Sequence, residues 1–441
     1  MSQYAIIRGG KKLSGTIKPV PNKNSILSAL CACILTDKEV IYKNLPKSTD
    51  VLKMLEILKL LGAQVNDSNF KRIKICCKKL KSYKVDKELG NLIRASVMLA
   101  GPLLVRFGKA LIPVPGGCVL GKRSISSHID VFSKAGVKAE YLKDGYVKFT
   151  APKKLKKEYK IWQFEASVTA TENLLMYASG TKSHFSITDA ACEPHVLELT
   201  RMLISMGANI KGAGSNKLEI VGGKKLGGCK FEGDPDFVDI GAIIVAAALT
   251  KGKITIKGAN RPEIVDGIIS CFEKFNIKID KVGKDLKVNG ERELFIDPKT
   301  SGFALADENL PKLAPRPWPG FPVDLIPVLV VLACKTKGRM LIQNWMYETG
   351  LDFTKELNSL GANITACDSQ KIIVSGPVKF KGGKVTPPAI IQSCKAIFLA
   401  ALSDNVETTI YGIDILKRRY PNVFENYKKL GADIDGPYEM S

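Results

Sequence analysis

The sequence predicts an α/β protein of two pseudo-threefold domains, each made of three repeats of one α/β unit with buried helices. Three observations predict it: a helix-end signature that recurs along the chain, an amphipathic stretch before each signature, and a second, charge-poor helical stretch in every repeat. At 441 residues the chain exceeds one ordinary core. A prior of roughly 150 residues per domain gives two or three.

The signature is an apolar residue, then Gly-Ala or a near equivalent, then a β-type pair. It reads LGAQV at Leu61, AGVKA at Ala135, MGANI at Met206, LGANI at Leu360 and LGADI at Leu430, with a degenerate FNIKI at Phe275. Glycine suits the left-handed residue that closes a helix, and the following pair opens a strand. The intervals are roughly seventy residues, a period that points to internal repetition. The fourth-to-fifth interval is longer, which places an insertion near Asp307 to Pro319. Before the first signature, Val51, Leu52, Leu55, Leu58 and Leu61 share one helical face.

The second helical stretches are 25–35, 92–104, 167–180, 238–252, 322–338 and 393–405. They carry few charges, so they belong inside a domain. Short strands such as KITIKG (253–258) and ETTIYG (407–412) follow several of them.

Composition narrows the function. Hydrophobic residues form 45% of the chain, enough for a large core. No apolar run approaches the roughly 20 residues of a bilayer-spanning helix, and the N-terminal stretch lacks a signal-peptide core. A cytoplasmic protein without membrane insertion is expected. The eleven cysteines include no C-x-x-C pair, and only His128, His184 and His195 are present. They read as reduced thiols, and no metal is expected. The formal charge is +23. Its densest stretch, Phe70 to Lys84, alternates lysines with short apolar runs, as on exposed strands, and no aromatic–basic stacking motif accompanies it. Small acidic substrates fit this charge better than nucleic acid.

Polar residues cluster where the buried helices begin: Lys23 and Asn24, Arg94, Ser167, Asp236 and Asp239, and Asp324. In a pseudo-symmetric fold such positions are equivalent, so the helix starts are expected to converge on a cleft between the domains. Free N–H groups and the helix dipole favour anions there. Each residue taken alone is better explained as a helix cap, and only their convergence favours a site. The strongest local motif is PVPGGCVLGKR, Pro113 to Arg123. Its glycines let backbone approach a ligand, and Lys122 and Arg123 favour the thiolate of Cys118.

With these residues the sequence resembles the enolpyruvyl transferases, in the branch that acts on UDP-N-acetylglucosamine. The likeness is carried by Asn22-Lys23-Asn24, Arg94 in IRAS, PGGC-x-x-G-x-R around Cys118, SV-x-AT from Ser167, GFP-x-D ending at Asp324, and Arg418 to Tyr420. It spans nearly the whole chain. The shikimate-phosphate branch carries Ser-Lys-Ser in place of Asn22-Lys23-Asn24 and lacks the PGGC loop. The resemblance implies an inside-out α/β barrel type of fold, with domains at 1–22 plus 232–441 and at 23–231. It implies a monomer that uses no cofactor and moves the enolpyruvyl group of phosphoenolpyruvate to the 3-hydroxyl of UDP-N-acetylglucosamine, releasing phosphate. By the same resemblance Asp324 takes the hydroxyl proton, and Cys118 is general acid or acts in product release. Lys23, Arg123 and Arg418 hold phosphate, and Arg94 organises the anion pocket. Asn24 meets the sugar, Ser167 and Val168 the uridine diphosphate, and Glu348 is a further substrate contact.

The chain departs from the family at several positions. Thr169 replaces a glycine, Glu165 stands near a missing lysine, and Ser124-Ile125-Ser126-Ser127 replaces a Pro-Val-Asp-Leu type of segment. Gly350 and Gln392 stand where the family has arginine, Ile390-Ile391 where it has Asp-Leu, and Arg419 where it has glycine. Two lost guanidinium contacts call for a substitute cation, and Lys395 and Arg419 are nearest in sequence. At least one is expected to point into the cleft. The departures leave open a transferase with another acceptor, or a non-catalytic anion-binding scaffold.

Overall fold

The structure is a computed structural model that describes residues 3–114 and 124–440. Its described residues form two compact units. Unit 1 holds residues 3–20 and 235–440; unit 2 holds residues 21–114 and 124–234.

In unit 1 three buried helices pack on one another: α4 (Phe237–Leu249), α5 (Ile326–Lys335) and α6 (Ile391–Ser403). Every residue of α4 is buried, which explains why the segment reads FVDIGAIIVAAAL with almost no charge. Each fully buried Ile or Val there is worth about 1.5–3 kcal/mol against exposure. The half-buried pair of Lys335 with Asp404, at 2.8 Å, ties the end of α5 to the residue just past α6. Unit 2 repeats the plan with α1 (Lys23–Ala32), α2 (Ala100–Phe107) and α3 (Val168–Gly180). A 3-10 turn, Arg94–Leu99, leads into α2.

Six separate sheets, three per unit, accompany these helices, and none of them closes into a barrel among the described residues. The repeat is visible in their registers. In five sheets the strand that follows a central helix pairs with a parallel neighbour and an antiparallel one, as Lys253–Ile256 does with Ser14–Ile17 and Asp285–Asn289. In the sixth a single parallel bridge, Lys84 to Leu111, stands in for the parallel strand. The last repeat is completed by the chain's own beginning: Gln3–Arg8 lies between Glu407–Tyr411 and Asp433–Glu439. The insertion appears as an extra strand, Ala304–Asp307, on the edge of the one five-stranded sheet.

The repeated signature has the conformation its glycines predict. Gly62, Gly136, Gly207, Gly361 and Gly431 all have positive φ, between 81° and 106°. In the degenerate copy Asn276 takes the same role at φ 64°, as asparagine can. One expectation fails. Leu52 is 43% exposed, and Met54 fills the buried face instead. Position 54, not 52, lies three residues before Ile57 and four before Leu58 on the inward side.

Candidate functional site

In unit 1 two buried cations join the starts of the three central helices. Asp236 caps α4, accepting from Val238 N at 3.0 Å. Asp324 lies in the turn Val323–Leu325 that leads into α5. Arg419 bridges them: Nε and Nη2 reach Asp236 at 2.5 and 2.8 Å, and Nη1 donates to Asp324 Oδ2 at 3.1 Å. The third helix enters through Lys395, in the second turn of α6, whose Nζ lies 3.9 Å from Asp239 Oδ1. Asp239 Oδ2 also accepts from Val20 N at 3.1 Å.

Lys395 is 1% exposed and sits against the rings of Tyr427 and Tyr420, 4.4 and 4.7 Å from their centroids. Burial pushes its ammonium down to about 8, against the pull of Asp239. Burial likewise raises the Asp239 carboxyl, with Lys395 opposing. Both shifts say the same thing: at 3.9 Å and without a hydrogen bond the pair does not offset the loss of water.

Neither of these two cations faces bulk solvent. Lys395 and Arg419 are 1% and 2% exposed and turn toward acidic residues of their own unit. Adjacent or one-turn spacing in sequence does not set a side chain's direction. Arg419 is taken by Asp236 and Asp324, while the neighbouring Arg418 is half-buried. At Gly350 a Cβ would fall 2.2 Å from Asn344 Nδ2, so the Asn344 side chain fills the space there. Glu348, in the same loop, is exposed, and Gln392 is half-buried at the start of α6.

In unit 2 the helix starts are cationic or neutral. Asn22 caps α1, its side chain accepting from Asn24 N at 3.0 Å. Lys23 is the first residue of that helix rather than a residue before it, and its Nζ pairs with Asp50 at 2.8 Å. Arg94 opens the turn before α2 and donates to Ser124 O at 3.2 Å. Ser167 holds the cap position of α3, yet its side chain makes no capping hydrogen bond. Val168 follows as the first residue of α3, so the N–H groups of that first turn are not satisfied by the cap side chain. Cys118 and Arg123 lie outside the described residues.

Thr169 has a partner that accounts for it. Asn173 donates through Nδ2 to Val97 O at 2.8 Å and meets His128 Nδ1 at 3.1 Å, which makes that ring nitrogen the acceptor. The opposite nitrogen then carries the hydrogen and donates to Thr169 Oγ1 at 3.0 Å. Burial, with Arg94 adding to it, pushes His128 down to about 3, so the ring is neutral. Nearby, burial raises the Glu172 carboxyl to about 8, with Ser28 opposing. Glu165 lies at the surface and accepts from Ser127 Oγ at 2.6 Å.

The sequence missed Asp50, His128 and Glu172, as well as the bridging role of Arg419. The one available signal was Lys395, a lone cation inside the apolar run SCKAIFLAALS, since a lysine there must be paired.

The class of this six-repeat frame, with an acid at helix starts of one unit and cations at those of the other, is that of the enolpyruvyl transferases. The family described as EPSP synthase (3-phosphoshikimate 1-carboxyvinyltransferase) matches residues 7–427. The fold is shared with the enolpyruvyl transferase NikO from Streptomyces tendae, at 21% identity and a TM-score of 0.85, covering 98% of this chain and 99% of that one. EPSP synthase from Acinetobacter baumannii gives a TM-score of 0.74 at 18% identity, covering 99% and 100%. Within the class, the chain is 36% identical to the UDP-N-acetylglucosamine 1-carboxyvinyltransferase of Treponema denticola, covering 99% of each. It is also 36% identical to that of Borreliella burgdorferi, covering 97% of this chain and 98% of the relative. The chain therefore belongs to the enolpyruvyl transferase family, alongside the UDP-N-acetylglucosamine 1-carboxyvinyltransferases. Among the described residues no helix is long and apolar enough to cross a membrane.

Proposed function

We propose that the protein transfers the enolpyruvyl group of phosphoenolpyruvate to the 3-hydroxyl of UDP-N-acetylglucosamine, releasing phosphate, the first committed step of peptidoglycan precursor synthesis. The observation that carries this is full-length similarity, 36% over 435 residues, to a relative named for that activity. The same similarity disfavours a different acceptor and a non-catalytic scaffold.

The chemistry needs a base for the nucleophile, a proton for the alkene carbon, and fixed cations for the departing phosphate. Asp324 is the base: the hydroxyl oxygen bonds to C2 of phosphoenolpyruvate while its proton passes to the carboxylate. Cys118 serves as general acid or in product release. C3 gains a proton in the addition and loses one as the C–O bond to phosphate breaks. Lys23, Arg123 and Arg418 hold the phosphate, and Arg94 organises the anion site. Asn24 contacts the sugar, the start of α3 at Ser167 and Val168 meets the diphosphate, and Glu348 is a further substrate contact. We take the domains as 1–22 plus 232–441 and 23–231, in a cytoplasmic monomer without a nucleic-acid partner.

The test is phosphate release from phosphoenolpyruvate with a panel of nucleotide sugars. UDP-N-acetylglucosamine should support turnover, and Asp324→Asn should lower it by a factor of about 100 or more. Release only with a different acceptor would overturn the assignment of substrate. Near-normal turnover by Asp324→Asn would remove Asp324 from the base role.

A further inference from the structure

We propose that Arg419 is a positioning residue for the transfer reaction, holding Asp324 in the orientation from which it takes the acceptor's hydroxyl proton. This rests on the enolpyruvyl-transfer reading above.

The geometry divides the guanidinium between two carboxylates. Nε and Nη2 make a fork on Asp236, which is fully buried. That fork fixes the plane of the guanidinium, because a bidentate pair sets orientation as well as distance. Nη1 then projects to Asp324 Oδ2 at 3.1 Å. Among the described residues this is the one hydrogen bond to the Asp324 carboxylate, and it engages Oδ2 alone. Oδ1 is left to accept a proton. Asp324 needs such a hold. It lies in a 3-10 turn, its side chain is 21% exposed, and its side chain does not cap the helix start. A base free to rotate would spend most of its time off the line of transfer, and a displacement of about 1 Å can cost a hundredfold in rate.

The surrounding charges favour this arrangement. Asp236, Asp239, Lys395, Tyr420 and Tyr427 are the other titratable groups of the cluster. Lys395 turns to Asp239 and its aromatic neighbours, so it does not compete with Arg419 for Asp324. Lysine could not replace Arg419, since a single ammonium lacks the planar fork that spans both carboxylates.

Two variants test it. Arg419→Lys keeps the charge and loses the fork. Arg419→Gln combined with Asp236→Asn replaces the buried ion pair by an amide pair, which leaves no uncompensated charge and protects the fold. With phosphoenolpyruvate and UDP-N-acetylglucosamine, both should lose at least about tenfold in kcat, while each KM stays within about threefold. A merely structural role would lower the melting temperature and leave kcat near wild type well below it; kcat within about twofold in the double variant overturns the proposal. Crystal structures of wild type and double variant supply a readout that needs no activity. Asp324 should change rotamer or show two; an unchanged single rotamer also overturns it. If wild type releases no phosphate with these substrates, the assigned reaction falls, and the crystal comparison still decides whether Arg419 fixes Asp324.

Discussion

The two units use one scaffold with opposite charge at equivalent places. In unit 1 two of the central helices begin with carboxylates, α4 with Asp236 and Asp239 and α5 with Asp324 in the turn before it, matched by cations that reach in from position 419 and from α6. In unit 2 they begin with Lys23, Arg94 and a serine that does not cap. A carboxylate at a helix start agrees with the helix dipole, and a lysine there opposes it by about 0.3–1 kcal/mol. At the start of α4, dipole, cap and the Asp236–Arg419 ion pair point the same way. In unit 2 Lys23 stands against the dipole and relies on Asp50. In the proposed function this placement serves an anionic substrate.

The contrast can be broken most directly at the two carboxylates that hold the cations. Asp236→Ala takes the bidentate partner from Arg419, whose side chain is 3% exposed, and leaves it Asp324 alone. Breaking a fork so deeply buried should cost up to about 3–5 kcal/mol in chemical unfolding. Asp50→Ala frees Lys23, whose side chain is 11% exposed. The lysine can snorkel to water, so the loss should be about half as large or less. Equal losses would mean the two ion pairs serve the same structural purpose.

Acidity offers a second contrast, with opposite signs in the two units. Glu172 in unit 2 is raised from 4.5 to about 8 by burial. Between those values the folded chain keeps a proton that the unfolded chain has lost, so stability falls as pH rises through this window. Glu172→Gln should remove roughly 3–5 kcal/mol of that decline. Lys395 in unit 1 is lowered from 10.5 to about 8. Between those values the unfolded chain binds a proton that the folded lysine has released, so stability rises with pH there. Lys395→Met should abolish the rise. Urea unfolding at intervals from pH 4.5 to 10.5 checks both; a flat wild-type profile would show that neither group stays in its buried state.

The smallest effect concerns the feature the units share. Gly207, at φ 106°, has open space around a built Cβ, so Gly207→Ala tests backbone strain alone and should cost about 1 kcal/mol. Asn276→Gly, at the degenerate copy with φ 64°, should be neutral or slightly stabilising. A loss at Asn276 as large as at Gly207 would show that the asparagine side chain, which donates to Glu293 O at 2.8 Å, contributes more than its conformation. Thermal unfolding of the two variants side by side separates these outcomes.

By itself the sequence determined the repeat, the helix ends and the buried helices. These follow from local rules: a left-handed residue closes a helix, and a segment such as FVDIGAIIVAAAL has too little charge to face water. It also pointed to the helix starts where Lys23, Arg94, Ser167 and Asp324 lie, because in a repeated fold equal spacing means equal position. Only the tertiary structure decided what those residues touch. Asp50 lies twenty-seven residues from Lys23, and Arg419 lies ninety-five from Asp324. No local pattern records such pairs. The direction of Lys395 was lost for the same reason. Position 395 is fixed by helical spacing, but the acid it faces belongs to another helix, and burial by that neighbour lowers its ammonium to about 8.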